Sequence, residues 1–435
     1  MGAATHWETL PEQLLDLAHQ AGAEAAEVFQ SRAASQPVYF EANRLKQLES
    51  NQVEGTALRL WHQGRPGIAV AHGPIQPQAL VEKALAISHL NVAEAIEMRA
   101  GQIQRYPDVG TPVAVAQLVD WGQEAIAQIR TAYPDVICEA ELECDVETTR
   151  IVNSRGLDYS YADTTLNGYL SAERVRGDDF LSVGDGQTRR DCLDPHALAQ
   201  QVLQRLAWAE DNVSAPQGRV PVLFTAKAAD MLWGTVQAAL SGKRVIESSS
   251  PWSDRLGEVV TAPALTISQD PESGPFSCPF DDEGNPTQSL VFIDQGTLRL
   301  FYTDCTVGRA LGGGSTGNGF RPDLGSYPTP GLFNTLVAPG DQSLEQLIQS
   351  LDEAIIVDQM LGDGAGISGD FSINVDLGYR IHHGTIQGRV KDTMVAGNVY
   401  TALLNLLALG NDGEWNGGCY TPSVVVAGLS VISRT

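Results

Sequence analysis

ICEAELECDVETTRIVNS, residues 137–154, is followed after two residues by LDYSYADTTLNGYLSAERV, residues 157–175. Apolar and polar residues alternate through both segments, and a period of two places alternate side chains on opposite faces of a strand. Two such stretches in succession predict an antiparallel sheet with long strands between about 136 and 183. The helical segments AVAQLVDWGQEAIAQIRTAY before it and DPHALAQQVLQRLAWAE after it close a middle unit, residues 113–217. Ahead of that unit, Leu10, Leu14, Leu17 and Ala18 mark a first helix by their spacing of three and four. TALRLWHQGRPGIAVAHG reads as a hairpin turning at HQGRPG, and IQPQALVEKALAISHL as an amphipathic helix. The polar stretch from Asn43 to Ser50 reads as helical. Residues 91–112, with Pro107 and Pro112, read as a linker that ends an N-terminal α+β unit, 1–112.

NVSAPQGR marks a second boundary, and a β-rich unit spans 218–435. It opens with the strand VPVLFT and a helix from about Ala226 to Leu240, whose Ala229, Leu232, Val236 and Leu240 recur at core spacing. Short β-like runs follow, and KDTMVAGNVYTALLNLLAL reads as one helix. The fold class is α+β, with three units.

The formal net charge is -25, from 53 acidic and 28 basic residues. So acidic a chain repels a phosphate backbone unless it carries a basic stripe. The densest basic spots are only Lys243-Arg244 and Arg189-Arg190, so no nucleic-acid contact is expected. The opening MGAATHWETLPEQ lacks the basic start and apolar core of a secretory signal. No apolar run reaches the roughly 18 residues that span a bilayer. The six cysteines are scattered without a CxxC pair, which fits reduced thiols and a cytoplasmic location.

Cys419 stands in the glycine-rich loop GNDGEWNGGCYTP, where a cysteine can be a metal ligand, a nucleophile or filler. None of the eight histidines is followed by Glu, so HExxH is absent. His382-His383 reads as a pair of exposed turn residues whose side chains leave opposite faces. A nucleophile elbow would place its serine on a strained strand-to-helix turn, and neither GGGST nor GISGD is read as one. GGGSTGNGF, residues 312–320, lacks the Gly-Lys-Ser/Thr ending of a P-loop and reads as a flexible loop beside a binding groove, with Thr316, Gly317 and Asn318 as its wall. Asp281-Asp282-Glu283, ahead of Gly284-Asn285-Pro286, reads as a turn with a solvated acidic face.

The ordered series AAEVFQSR, WHQGRPGIAVAHG, FDDEGNPTQSLVFIDQGTLRLFYTD, STGNG, GISGDFS and LALGNDGEWNGGCYTPSVVVAGLSV resembles the PmbA/TldD family over nearly the whole length. That family is labelled modulators of DNA gyrase and understood as subunits of a cytoplasmic metalloprotease. The resemblance implies that TldD-type chains carry HExxxH on a helix of the last unit, with a cysteine near the C-terminus as third metal ligand. Cys419 resembles that cysteine. Counting back from Ser241-Gly242, the motif positions hold Trp233, Gly234 and Ala238, none of which binds a metal or moves a proton. The resemblance therefore implies a PmbA (TldE)-like subunit with no cofactor and no catalytic residue of its own, Cys419 being vestigial. Zinc is expected in a TldD-type partner chain, and unfolded peptides as the substrate. Two alternatives stay open: a metal-free homodimeric peptide-binding or scaffold protein, and a hydrolase with an unrecognised site.

Overall fold

The long hairpin organises the molecule. In this computed structural model, which describes residues 6–362 and 364–433, the strand Ile137–Asn153 pairs antiparallel with Asp158–Arg176, from Ile137 opposite Glu173 to Val152 opposite Asp158. The first of these strands is long enough to take two further partners end to end along its other edge. Val38–Glu41 pairs at Ala140 to Leu142, and Ala25–Ser35 pairs from Asp145 to Asn153. One nine-stranded sheet results, and the expected boundary at 112/113 runs through it. Residues 103–105 of the expected linker join the sheet as a short parallel strand against 158–160.

The segment after Asn43 is not helical. Ala42 and Asn43 both adopt positive φ, the turn that returns a chain on itself, and Arg44–Leu48 becomes an exposed edge strand. Local polarity suited either state, and the open edge of Val38–Glu41 decided it.

Four helices cover one face of the sheet. His6–Gln20 and Pro77–Ser88 bury Leu10, Leu14, Leu80 and Val81 against Val28, Leu58 and Leu60. Val115–Ala132 and Pro195–Trp208 bury Leu118, Ile129, Val202 and Leu206 against Cys138, Ala140, Leu142 and Cys144. The opposite face meets the C-terminal unit at one end, where Phe29, Ile151 and Tyr159 pack on Phe280.

Five strands of the C-terminal unit close into a ring. Gly218–Phe224 pairs parallel with Glu353–Leu361 and antiparallel with Val424–Ser433, and Asp370–His382 and Thr393–Asn398 complete the circuit. Alternate residues serve two cores. Val222, Phe224, Ile355, Val357 and Val424 meet the helix Ala226–Leu240, and Leu223, Ile356 and Val425 meet Pro195–Trp208. Arg205 ties these layers together, with Nε 2.9 Å from Asp358 of the ring and Nη1 2.6 Å from Asp185 of the sheet. A second, six-stranded sheet flanks the helix and contains Ile267–Gln269, Thr335–Val337, Cys419–Thr421 and Glu414–Asn416.

The single helix expected over residues 391–409 is split. Thr393–Asn398 is claimed by the ring, Val399–Leu404 is a short helix whose Thr401 N–H donates 3.2 Å to Asn398, and Leu406–Leu409 pairs with Val424–Ser433. Strand pairing overrides the helical pattern there. No helix among the described residues is long and apolar enough to cross a membrane.

Candidate functional site

The helix Ala226–Leu240 carries the positions that matter. It starts where the Thr225 hydroxyl accepts from the Ala228 N–H, a cap that satisfies one orphan donor. Its alanines favour helix, and it contains no proline. Ala229, Leu232, Val236 and Leu240 are fully buried, as their spacing predicts. Trp233 joins them, and its indole N–H donates 2.7 Å to the Thr421 hydroxyl. Lys227, Asp230 and Gly234 follow one another at spacings of three and four along the opposite face, where Asp230 and Gly234 are exposed. A Cβ added at Gly234 would meet nothing within 4 Å.

Cys419 lies beside this helix. Its strand pairs with Thr335–Val337 on one edge and with Glu414–Asn416 on the other. Cys419 and Thr421 share a strand face, since residues two apart do. Thr421 receives Trp233, and the Cys419 thiol lies near enough to the Asp230 carboxylate for each to shift the other's titration. Asn416 fixes the hairpin to the start of the helix by donating 2.9 Å to the Ala226 carbonyl. The thiol is 5 % exposed. Burial first, and the Asp230 charge second, push it far above the ordinary thiol range. Asp230 is itself raised by burial, which the neighbouring thiol offsets in part. A thiol held protonated is a poor nucleophile, because the thiolate is the attacking form. Sequence reasoning missed Asp230: nothing local marks it apart from its place on the polar side of the helix.

At the end of this helix face a cleft of about 400 Å³ opens between the strand Asp179–Arg189 and the hairpin. Glu141, Glu143, Tyr169, Asp185, Lys227 and Trp415 line it. Lys227 donates 2.6 Å to the Gly184 carbonyl. Burial lowers its pKa, against the pull of Asp358 and Asp185. A second cleft, about 340 Å³, adjoins on the far side of Trp415 and includes Glu414, which burial and Asp185 push up to about 7.

The glycine-rich loop plays a different part from the groove wall expected of it. Thr316 is bonded to both backbone groups of Thr303 and to Asn318. Asn318 is fully buried and donates to Gln269 at 2.7 Å and to the Gly331 carbonyl at 2.8 Å. Gly317 has φ +76°, and a Cβ there would strike the Pro286 carbonyl, so only glycine fits. The loop is an internal bracket that closes on the acidic turn. That turn is buried, not solvated: Asp281 accepts from the N–H groups of Glu283, Asn285 and Gly319 at 3.0, 2.8 and 2.9 Å. Backbone donors converging on one carboxylate make this burial tolerable. The two His382-His383 rings do not leave opposite faces; they lie 3.9 Å apart because His383 has turned to φ 50°. Glu353 and Asp352 engage them at the surface.

Two profiles of one family match the chain. The PmbA/TldA metallopeptidase C-terminal domain covers residues 217–433, and PmbA/TldA metallopeptidase domain 1 covers 26–88. The chain belongs to the PmbA/TldD family. Metalloprotease PmbA of Escherichia coli O157:H7 is 25% identical, over 94% of this chain and 93% of its own. A metalloprotease TldD homolog of Haemophilus influenzae is 32% identical over 52% of this chain and 47% of its own. The TldE structure from Thermococcus kodakarensis superposes with a TM-score of 0.89 over 98% of this chain and all of that one, at 22% identity, which shows a shared fold.

A metalloprotease family raises the question of a metal. A catalytic zinc site usually takes three protein ligands. Here one thiol and one carboxylate face each other, and the next positions along the helix are Trp233, Gly234 and Ala238. Among the described residues no group of three His, Cys, Asp or Glu side chains is placed to hold one ion. The donor set at Cys419 does not fit a catalytic zinc.

Proposed function

We propose that this chain is the non-catalytic subunit of a cytoplasmic PmbA/TldD-type metalloprotease acting on unfolded peptides. A TldD-type partner would hold the zinc and perform the hydrolysis. The observation that carries the reading is the meeting of Cys419 with a helix that offers Asp230 and no second ligand. The full-length match to PmbA, against a half-length match to a TldD homolog, supports the same branch. The helix face exposed at Asp230 and Gly234 leads to the cleft at Lys227 and supplies a wall against which an extended segment can lie. Extended peptides are commonly held by main-chain hydrogen bonds to a strand edge, which give affinity with little sequence choice. Glu414–Asn416 ends the order of its six-stranded sheet and offers such an edge.

The test is purification of the tagged chain from its own cells, followed by mass spectrometry and a cleavage assay on an unstructured peptide. A stoichiometric partner bearing HExxxH is expected, with cleavage by the pair and none by this chain alone. Cleavage by this chain alone, with metal removed, would overturn the reading. Recovery as a homodimer that binds peptide uncut would replace it with the binding-protein alternative.

A further inference from the structure

The helix Val115–Ala132 leaves the outermost strand of the nine-stranded sheet, Arg44–Leu48, partly uncovered. Leu45 and Leu48 of that strand pair with Phe40 and Val38, and cross-strand partners share a face. Val38 and Phe40 are buried with the helix residues Leu118, Ile126 and Ile129. Leu45 and Leu48 carry the same face out into solvent, 42 % and 52 % exposed. A Cβ on Gly122 would strike the Phe40 ring, so the helix seats directly on that ring. Between the strand and the helix a cleft of about 640 Å³ opens. Its helix wall is Gln123, Ile126, Ala127, Arg130 and Thr131, whose spacings of three and four make one face of a helix. Phe40 and Leu45 give it an apolar floor, and Arg44 stands on the strand wall.

The charge of this cleft is opposite to that of the chain. Acidic residues number 53 in the sequence, yet none lines it, whereas Asp185 lines both clefts beside Trp415. Arg44 and Arg130 face the cleft from its two walls. Among the described residues neither has a carboxylate within ion-pair distance or a hydrogen-bond acceptor for its guanidinium. The adjacent Lys46 is already committed, 2.5 Å from Glu41. Two arginines with free donors thus flank an apolar floor, and the chain itself supplies no counter-charge there. Strand addition along this edge is disfavoured. A register shift between Tyr39 and Phe40 interrupts the pairing, and a bulge and a lysine are devices that blunt an edge. The cleft therefore suits a compact ligand better than an added strand.

We propose that the cleft between Arg44–Leu48 and Val115–Ala132 binds a small organic anion, a carboxylate or phosphate carried on a flat apolar body. The site is separate from the peptide groove and does not depend on it. Small-molecule clefts commonly measure about 300–1,000 Å³ and combine an apolar lining with a few polar groups that fix orientation. The guanidinium fork matches both carboxylate and phosphate oxygens, two N–H groups to two oxygens. The floor of Phe40 and Leu45 takes the apolar body, and Gln123 and Thr131 add neutral polar groups at the rim. A cleft lined by one sign of charge also concentrates ligands of the opposite sign.

The test titrates the full chain at low salt with two fluorescent probes of matched shape: anilinonaphthalenesulfonate, and N-phenylnaphthylamine, which lacks the sulfonate. The anionic probe is expected to bind about fivefold more tightly. Joint substitution Arg44→Gln and Arg130→Gln is expected to remove that preference. Arg65→Gln with Arg99→Gln, exposed elsewhere, changes net charge equally and is expected to leave it. Ala127→Trp, at an exposed helix position that lines the cleft, fills it and is expected to weaken both probes. Displacement of the anionic probe by naphthoate alone assigns the site to carboxylates, and by naphthyl phosphate alone to phosphates. Displacement by neither overturns the proposal. Equal affinity of the two probes overturns it, as does equal loss in both arginine double variants, since net charge would then suffice. Probe binding indifferent to Ala127→Trp overturns the location. Far-ultraviolet circular dichroism confirms that each variant is folded.

Discussion

Cys419 sits in surroundings that hold its thiol protonated. Burial removes water from the sulfur, and Asp230 adds a negative charge beside it, so both effects favour the protonated form. The native chain at pH 8 is therefore expected to react rapidly with a thiol reagent at Cys192, which is exposed, and not at Cys419. Peptide mapping of the labelled protein reads this directly. Rapid labelling of Cys419 would mean the thiol ionises and would reopen its candidacy as nucleophile or ligand. Cys419 could be singled out from the sequence by its loop, but the state of its proton depends on Asp230, which lies 189 positions away in the chain.

The helix Ala226–Leu240 combines a core face legible from spacing with an outer face that only packing explains. Trp233 is spent on the Thr421 hydrogen bond and the core, and Gly234 faces empty space. Glycine within a helix costs about 0.5–1 kcal/mol relative to alanine when nothing requires it. Gly234 has no positive φ and no neighbour to clash with. Gly234→Ala is therefore expected to stabilise the protein by about that amount, seen as a higher urea midpoint at unchanged slope. Loss of stability would show that the helix face is not open. The strand Arg44–Leu48 and the split of residues 391–409 show the reverse case. There the local pattern suited a helix, and pairing with a strand distant in sequence prevailed.

Across the molecule, 53 acidic residues outnumber 28 basic ones, and several of the carboxylates are buried. Asp281 and Glu414 are pushed up to about 7, and Asp145 and Asp282 to about 6, each chiefly by burial. In the unfolded chain such groups ionise near pH 4. Between about pH 4 and 7 the folded chain therefore binds more protons than the unfolded one, and stability falls as pH rises through that window. The urea midpoint is expected to be higher at pH 5.5 than at pH 8. Asp281→Asn keeps one oxygen for the Glu283 and Asn285 N–H groups, turns an amide toward the Gly319 N–H, and removes the titration. It should flatten the difference by roughly 1–2 kcal/mol; an unchanged difference would assign the effect to overall charge repulsion.

Periodicity by itself determined the long antiparallel hairpin, the flanking helices and the core face of Ala226–Leu240, because each depends on neighbours within a few residues; the family likeness was carried instead by an ordered series of short motifs. The tertiary structure alone decided that one long strand would fuse the first two units into a single sheet. It also decided that the acidic turn at Asp281 and the loop at Asn318 would close on each other, and that Asp230 would meet Cys419. Those outcomes rest on edges, cavities and backbone donors contributed by segments far apart in sequence, and hydrogen-bond satisfaction and burial there override local preference.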